Sequence, residues 1–410
     1  MARTNYNEII AAIDIGTSKI VVLIAEINND SDLKIIGSGT YQSSGLKKGV
    51  VVNIESTVEC IGKAIEQAEK FADCEINTVF AGIAGSHVRS YDGHGFVRIN
   101  SGEVDYNDVA GAIDASKAMK IPSEERILHV LPKDYIIDGQ DGIRDPIGMS
   151  GIRLEADVHI VTISRSAEEN IIKSLERCNL EVQEIVLEPL ASSMSVLSKD
   201  EKDLGVCLID IGGGTTDIAI FKDGQILTTK VIPIGGDHVT KDIAHELKTP
   251  IESAEALKIE HAFTLSQLNG AAESIEVPSV GDRAPRDTDI KILSSVVEQR
   301  YRELFELVLE EIGKINTDSL RAGIVLTGGT SKLQGAIQLA EDVFSSDVSL
   351  GYPKPMSCAF ETINSPENAT GAGLLLYALK KFVSNPEQLV KQKSSASFIE
   401  KSKDWFKSNL

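Results

Sequence analysis

The sequence predicts an α/β protein built from two copies of one sheet-and-helix domain, with a small α+β subdomain inserted in the first copy and an amphipathic helix at the C-terminus. Three observations carry this. The tetrapeptide Ile-Asp-Ile-Gly occurs at 13–16 and again at 209–212, each time between two short apolar runs. Strand-like and helix-like segments follow in the same order after both copies, and a period of about 200 residues indicates domain duplication, not a solenoid. Finally, the polar stretch 384–397 separates the body from 398–410, where Phe398, Ile399, Trp405 and Phe406 fall on one helical stripe.

The first domain takes in 1–85 and 163–203. Strands are expected on both sides of the turn at Gly16, and a third extended segment at 33–41. A helix is expected at 54–71, with Ile54, Val58, Ile61, Ile65 and Ala68 on one face, and a strand at 78–83. Residues 86–162 interrupt the repeat with a strand pair around 88–99, a helix at 106–119 and alternating stretches at 127–137 and 152–163. Such an insert adds nothing to the glycine turns, so it reads as a partner surface or a spacer. The chain returns through a helix at 168–177, a strand at 182–187 and a crossing helix at 190–197.

The second domain, 204–383, repeats the pattern with strands at 206–211, 215–221 and 225–234 and a helix at 237–247. Its smaller lobe, 249–315, begins with a helix that sets Glu255 and Lys258 three apart on one face. They are a surface ion pair or a polar clamp on a ribose or base. A polar, turn-rich tract at 269–289 precedes a long helix at 290–315. A strand at 323–327 opens into Gly328 and Gly329, a third place of close backbone approach, and a helix at 368–378 closes the fold.

The glycine turns carry the chemistry. Gly213 and Gly214 lack side chains, so their N–H groups can converge on an anion, and Thr215 and Thr216 add hydroxyl donors. Asp210 ends the preceding strand, where a carboxylate holds a hydrated divalent cation beside that anion. Asp14, Gly16, Thr17, Ser18 and Lys19 repeat the arrangement. One such turn alone is equally an ordinary hairpin. Two of them, each preceded by Asp, point to a polyphosphate with magnesium gripped from both sides.

The 41 basic and 61 acidic residues leave a net charge of −20, which argues against general nucleic-acid binding. The five cysteines are scattered without Cys-x-x-Cys spacing, and the seven histidines form no metal-ligand pattern. No signal-peptide pattern opens the sequence and no apolar run is long enough to span a bilayer. Residues 391–410 carry +3 against −23 for the remainder. Lys401, Lys403 and Lys407 flank the aromatic stripe, which suits the surface of an anionic membrane; the alternative is a helix packed back on the core.

Together these motifs resemble the actin, heat-shock chaperone and sugar-kinase ATPase superfamily, with its ribonuclease-H-like domains. Within it, the insert, the tail, Gly-Leu-Lys-Lys-Gly-Val at 45–50, Val-Leu-Pro at 130–132 and Pro-Ile-Gly-Met-Ser-Gly at 146–151 resemble the FtsA family of bacterial cell-division proteins. The resemblance implies ATP and magnesium in a central cleft. Gly16, Thr17, Ser18, Gly213, Gly214 and Thr215 would hold phosphates, and Asp14 and Asp210 would orient the ion through water. Gly328 and Gly329 would approach the adenosine, and Glu255 with Lys258 the base or ribose. Glu188, in a Glu-Pro pair, would position the attacking water for slow hydrolysis. The implied role is a self-polymerising scaffold that tethers FtsZ to the inner face of the membrane at the septum through 398–410. FtsZ would meet the smaller lobe, and 86–162 would meet other division proteins. A small-molecule kinase of this fold needs an acceptor site with a general base, which the sequence does not offer. A chaperone needs a β-rich substrate domain, and only about 27 residues follow Val383.

Overall fold

Each domain begins where an apolar strand, a glycine turn and a second apolar strand fold into a hairpin. The structure is a computed structural model that describes residues 8–28, 32–266, 274–281, 283–314, 320–358 and 363–384. In the first copy β1 (Glu8–Ile15) and β2 (Lys19–Ile27) pair antiparallel, with Ile15 opposite Ile20, and β3 (Leu33–Gln42) extends the sheet. A short hairpin, β4 (Leu46–Lys47) and β5 (Val50–Val51), leads into α1 (Ile54–Ala72). The Asn53 side chain caps α1 by accepting from Ser56 N, and Asp73 ends it in the left-handed conformation. β6 (Thr78–Ile83) then lies parallel to β1.

The insert consists of β7 (Arg89–Arg98), α2 (Tyr106–Ser116), β8 (Glu125–Ile137), β9 (Gln140–Ile143) and β10 (Arg153–Ser164), with sheet order β7-β10-β8-β9. The strand pair expected at 88–99 is a single strand. Gly93 and Gly95 mark no turn; they let α2 lie on the sheet, since a Cβ on Gly95 would sit 2.3 Å from Ala112 O.

The chain re-enters the first sheet through α3 (Arg165–Glu176) and β11 (Glu181–Leu187), which is parallel to β6. It crosses to the second domain through α4 (Glu188–Val196), with proline in its first turn, and α5 (Lys199–Leu204). There follow β12 (Val206–Ile211), β13 (Thr216–Lys222), β14 (Gln225–Ile232), α6 (Gly236–Glu246) and α7 (Ile251–His261). Within the tract expected to be polar and turn-rich, β15 (Ser274–Val277) pairs with β16 (Arg286–Asp289). α8 (Ile290–Gly313), β17 (Ile324–Thr327), α9 (Ala336–Phe344) and β18 (Val348–Leu350) complete the lobe and its sheet. The order β14-β13-β12-β17-β18 reproduces β3-β2-β1-β6-β11 of the first domain, so the duplication read from the repeated tetrapeptide is present strand for strand.

The insert docks on the second domain at β14. Buried His159 places Nε2 2.9 Å from Thr229 Oγ1 and 3.2 Å from Thr229 N, and Ser90 Oγ donates to Thr229 O at 3.2 Å.

The last described segment corrects a boundary expected from sequence order. Residues after β18 return to the first domain: β19 (Ser357–Cys358) pairs parallel with β3, and α10 (Ala369–Ser384) packs on β1, β2, β6 and α4. Leu374, Leu375 and Ala378 are buried there with Ile10, Val21 and Leu23. The reason is apolar area: α1 covers one face of the first sheet, and α10 covers the other. Small residues make this possible, because a Cβ on Gly373 would lie 1.9 Å from Ala191 O.

Among the described residues no helix is long and apolar enough to cross a membrane, and Cys60, Cys74, Cys178 and Cys207 are free thiols. The linker from 385 onward and the helix expected at 398–410, with Phe398, Ile399, Lys401, Lys403, Trp405, Phe406 and Lys407, lie outside the described residues.

Candidate functional site

The two glycine turns meet face to face between the domains. A Cβ on Gly214 would lie 2.4 Å from Thr17 Oγ1, and one on Gly213 would lie 1.7 Å from Ser18 Oγ. Only glycine fits at either position. Gly16 is held as tightly, with Lys19 O 2.8 Å from where its Cβ would be. The hydroxyls are fixed from behind: Thr17 Oγ1 accepts from Gly49 N at 3.0 Å, and Ser18 Oγ donates to Asp237 Oδ1 at 3.0 Å. The first turn of α6 closes over the second hairpin, with Gly236 N donating to Gly212 O and Asp237 N to Gly213 O.

A cavity of about 510 Å³ runs from these turns to α7 and the 328–333 segment. Asp14, Glu188, Asp210 and Asp217 all line it. Asp210 and Asp217 are directly opposed across the hairpin, an arrangement of like charges that weakens a strand pair unless something else balances it. Burial first, then the neighbouring Asp210, pushes the Asp14 carboxyl up to about 7, with Lys19 pulling the other way. Burial also raises Asp210, although hydrogen bonds from Ser192 Oγ (2.6 Å) and Thr370 Oγ1 (3.4 Å) favour its charged form. Glu188 and Asp217 are raised well above the usual carboxylate range by burial and by the surrounding acids. Asp217 Oδ1 is buried with no hydrogen-bond partner. Burial lowers the Lys19 ammonium, against the pull of Glu367 and Asp14.

At the other end Lys258 Nζ donates to Glu255 Oε2 at 2.7 Å, Thr240 Oγ1 at 2.9 Å and Gly236 O at 3.3 Å. Lys258 is buried while the Glu255 side chain is 44% exposed, so the pair runs from the wall of the cavity to its rim, and both partners line it. Gly328 takes a positive φ of 86°, and a Cβ there would meet Asp210 Oδ1 at 2.4 Å. Gly329 begins a short 3-10 turn facing Glu367, which accepts from Lys332 Nζ at 3.2 Å.

The structure therefore gathers Asp14, Gly16, Thr17, Ser18, Lys19, Glu188, Asp210, Gly213, Gly214, Thr215, Glu255, Lys258, Gly328 and Gly329 around one cavity. Thr216 is the exception and a correction. It points away into the sheet, fully buried, with Oγ1 donating to Ile234 O at 2.8 Å, because alternation along β13 sends it to the opposite face from Thr215 and Asp217. The same alternation is the signal that would have found Asp217. Lys332, Glu367 and Thr370 had no local signal; they arrive from segments distant in sequence. Among the described residues no group of three or more His, Cys, Asp or Glu is set to hold a metal ion directly.

Two family models match the chain: "Cell division protein FtsA" over residues 207–373, and "SHS2 domain inserted in FTSA" over residues 85–162. The cell division protein FtsA of Pseudomonas aeruginosa is 50% identical over 417 residues, covering 100% of both chains. That of Escherichia coli K12 is 39% identical over 417 residues, covering 99% of each. Among solved structures, the type IV pilus PilM–PilN complex aligns at TM-score 0.65 with 15% identity, over 90% of this chain and 98% of the other. MreB5 of Spiroplasma citri bound to ADP aligns at 0.56 with 15% identity, over 92% and 99%. The architecture is that of the actin-like proteins, and the full-length identity to these relatives makes the chain a member of the FtsA family of cell division proteins.

Proposed function

We propose that the cleft binds ATP with a hydrated magnesium ion, and that the chain is a nucleotide-dependent scaffold tethering FtsZ filaments to the inner face of the cytoplasmic membrane at the division septum. The observation that carries the nucleotide reading is the set of four acids facing one another beside two glycine turns, with Asp217 Oδ1 left without a partner. So much buried negative charge calls for a cation, and so many close backbone N–H groups call for an anion. The cavity of about 510 Å³ suits a ligand of nucleotide size. MreB5, a neighbour of the same fold, was solved with ADP.

In this reading Gly16, Thr17, Ser18, Lys19, Gly213, Gly214 and Thr215 hold the phosphates. Asp14 and Asp210 hold the ion through water; when bound, it supplies the positive charge these carboxylates lack. Gly328 and Gly329 admit the adenosine, and Lys258, steadied by Glu255, faces the ribose or base. Glu188 ionises once counter-charge is present and orients a water for slow hydrolysis.

The membrane contact is assigned to 398–410, where Phe398, Ile399, Trp405 and Phe406 enter the lipid boundary and Lys401, Lys403 and Lys407 meet anionic headgroups. One such helix binds reversibly, so lasting attachment requires many chains in a filament or on FtsZ. Residues 249–315 are assigned to FtsZ and 86–162 to further division proteins. The test is co-sedimentation with anionic vesicles, with and without ATP–magnesium. Full-length chain pellets, and more so with nucleotide; deletion of 396–410 abolishes pelleting and leaves ATP binding intact. Equal pelleting of the deleted chain removes the tail as anchor, and an absence of ATP binding by calorimetry removes the nucleotide reading.

A further inference from the structure

Beyond the C-terminal end of α4, whose first residue lines the nucleotide-type cleft, lies a second cavity, of about 430 Å³, lined by Arg144, Lys199, Lys202, Asp203, Asp223 and Lys354 among others. Its charge is unlike that of the chain as a whole: four cations and two carboxylates, in a protein of net charge −20. Both carboxylates are already engaged, because Arg144 bridges Asp203 at 3.0 Å and Asp223 at 3.6 Å. Lys199, Lys202 and Lys354 form no ion pair with any described residue. Lys354 Nζ donates to the last carbonyls of the α4 region, Leu197 O at 2.5 Å and Met194 O at 3.4 Å. Half-buried Lys202 has only Ser193 Oγ at 3.5 Å and the face of the Phe221 ring, with Nζ 4.8 Å from the centroid.

Gathering lysines from two segments about 150 residues apart, with Glu201 attracting Lys202 and Lys354 only from beyond ion-pair distance, costs electrostatic energy that a bound anion recovers. That cost is visible in Lys202, whose ammonium is pushed down to about 8 by burial and by the charges of Lys354 and Lys380. Lysine is a point donor suited to phosphate oxygens, and three of them around a pocket of this size accept a phosphate group without a shape-specific fork. We propose that this cavity is a binding site for a phosphate-class anion, held by Lys199, Lys202 and Lys354. The anion is either a soluble phosphate or pyrophosphate, or the headgroup of an acidic phospholipid; the chemistry is shared. The site is independent of the cleft reading. α4 joins the two, with Glu188 at its start in the cleft and its final carbonyls on Lys354.

The test reads the lysines one at a time. Full-length chain with excess ATP–magnesium is acylated on amines at pH 8, at constant ionic strength, and the rate at each lysine is followed by peptide mass spectrometry. Inorganic phosphate, pyrophosphate, phosphatidylglycerol vesicles and phosphatidylcholine vesicles are added in turn, and Lys63, on the solvent face of α1, is the internal control. Phosphate or pyrophosphate slowing Lys202 by about threefold or more relative to Lys63 supports the site with a soluble source. Slowing by phosphatidylglycerol vesicles alone supports it with a lipid source. In either case Lys199→Gln removes most of the protection at Lys202. Unchanged rates with every probe, equal slowing at Lys63, or full protection in Lys199→Gln overturns the proposal. Because the readout is at Lys202, a failure of the chain to bind ATP leaves the result interpretable.

Discussion

Replacing Asp14 with Asn should stabilise the chain in the absence of nucleotide and cation. The folded chain raises the Asp14 carboxyl from its ordinary 3.8 to about 7, chiefly by burial and by the nearby Asp210. Between those two values the folded chain keeps a proton that the unfolded chain has released. Stability contributed by this group is therefore intact below pH 3.8, falls as pH rises through the window, and is fully lost above about 7. At about 1.4 kcal/mol per pH unit the loss approaches about 4 kcal/mol. Asn carries no charge and escapes it, but it also deprives Lys19 of one attractive partner, so the net gain at pH 8 is about 1–4 kcal/mol. Urea unfolding followed by circular dichroism at pH 4.5, 6 and 8 measures it. The advantage of Asp14→Asn should be small at pH 4.5 and grow with pH, while magnesium-dependent nucleotide binding is lost. A variant no more stable than wild type at pH 8, or one whose advantage is the same at all three pH values, refutes the reasoning.

The same acids make cation binding release protons: affinity for magnesium with ATP should rise between pH 5.5 and 7.5, and calorimetry in buffers of different ionisation heat should detect the protons. Equal heats in all buffers would contradict it. Lys258→Met leaves Gly236 O, Thr240 and Glu255 without their shared donor, and ATP affinity should fall about tenfold, equivalent to about 1.4 kcal/mol; unchanged affinity would remove Lys258 from the nucleotide site. His159→Ala takes away the acceptor of Thr229 N, costing about 1–3 kcal/mol and raising hydrogen exchange in β14; unaltered exchange there would mean the contact holds nothing. Gly373→Val drives a side chain into Ala191 O and should cost about 3 kcal/mol or more in thermal unfolding; a melting temperature equal to that of the wild type would mean that α10 and α4 are not in close contact there.

The parts of the molecule that sequence made legible are those governed by neighbours in the chain. The apolar runs around Gly16 and Gly212, the helical face of Ile61, Ile65 and Ala68, and the alternation of 127–137 each reflect a local periodicity, and each became the expected element. The glycine turns and their preceding acids identified one cleft because repeated chemistry at two distant places is improbable for ordinary hairpins. Where sequence misled, contacts between distant segments had the deciding influence. The stretch 88–99, expected as a strand pair, is the single strand β7, because its Gly93 and Gly95 serve the close approach of α2, which comes later in the chain. Thr216 is expected in the cleft and Asp217, which lines it, is not, because strand alternation, not residue type, decides which side chain faces the cleft. The helix at 369–384 was assigned to the domain that precedes it, since nothing local reveals which of two sheets has an uncovered face.

That last helix has a consequence for how the protein is made. The first sheet is synthesised early, but much of the cover on the face bearing Ile10, Val21 and Leu23 comes from Leu374, Leu375 and Ala378, about 350 residues later in the chain. The ribosome therefore releases most of the chain before its N-terminal half can be completed, while the second domain has all of its own sheet already available. A nascent chain paused before residue 369 carries an unfinished apolar surface on its N-terminal sheet, the surface that a chaperone acting on the N-terminal half would shield until α10 is made.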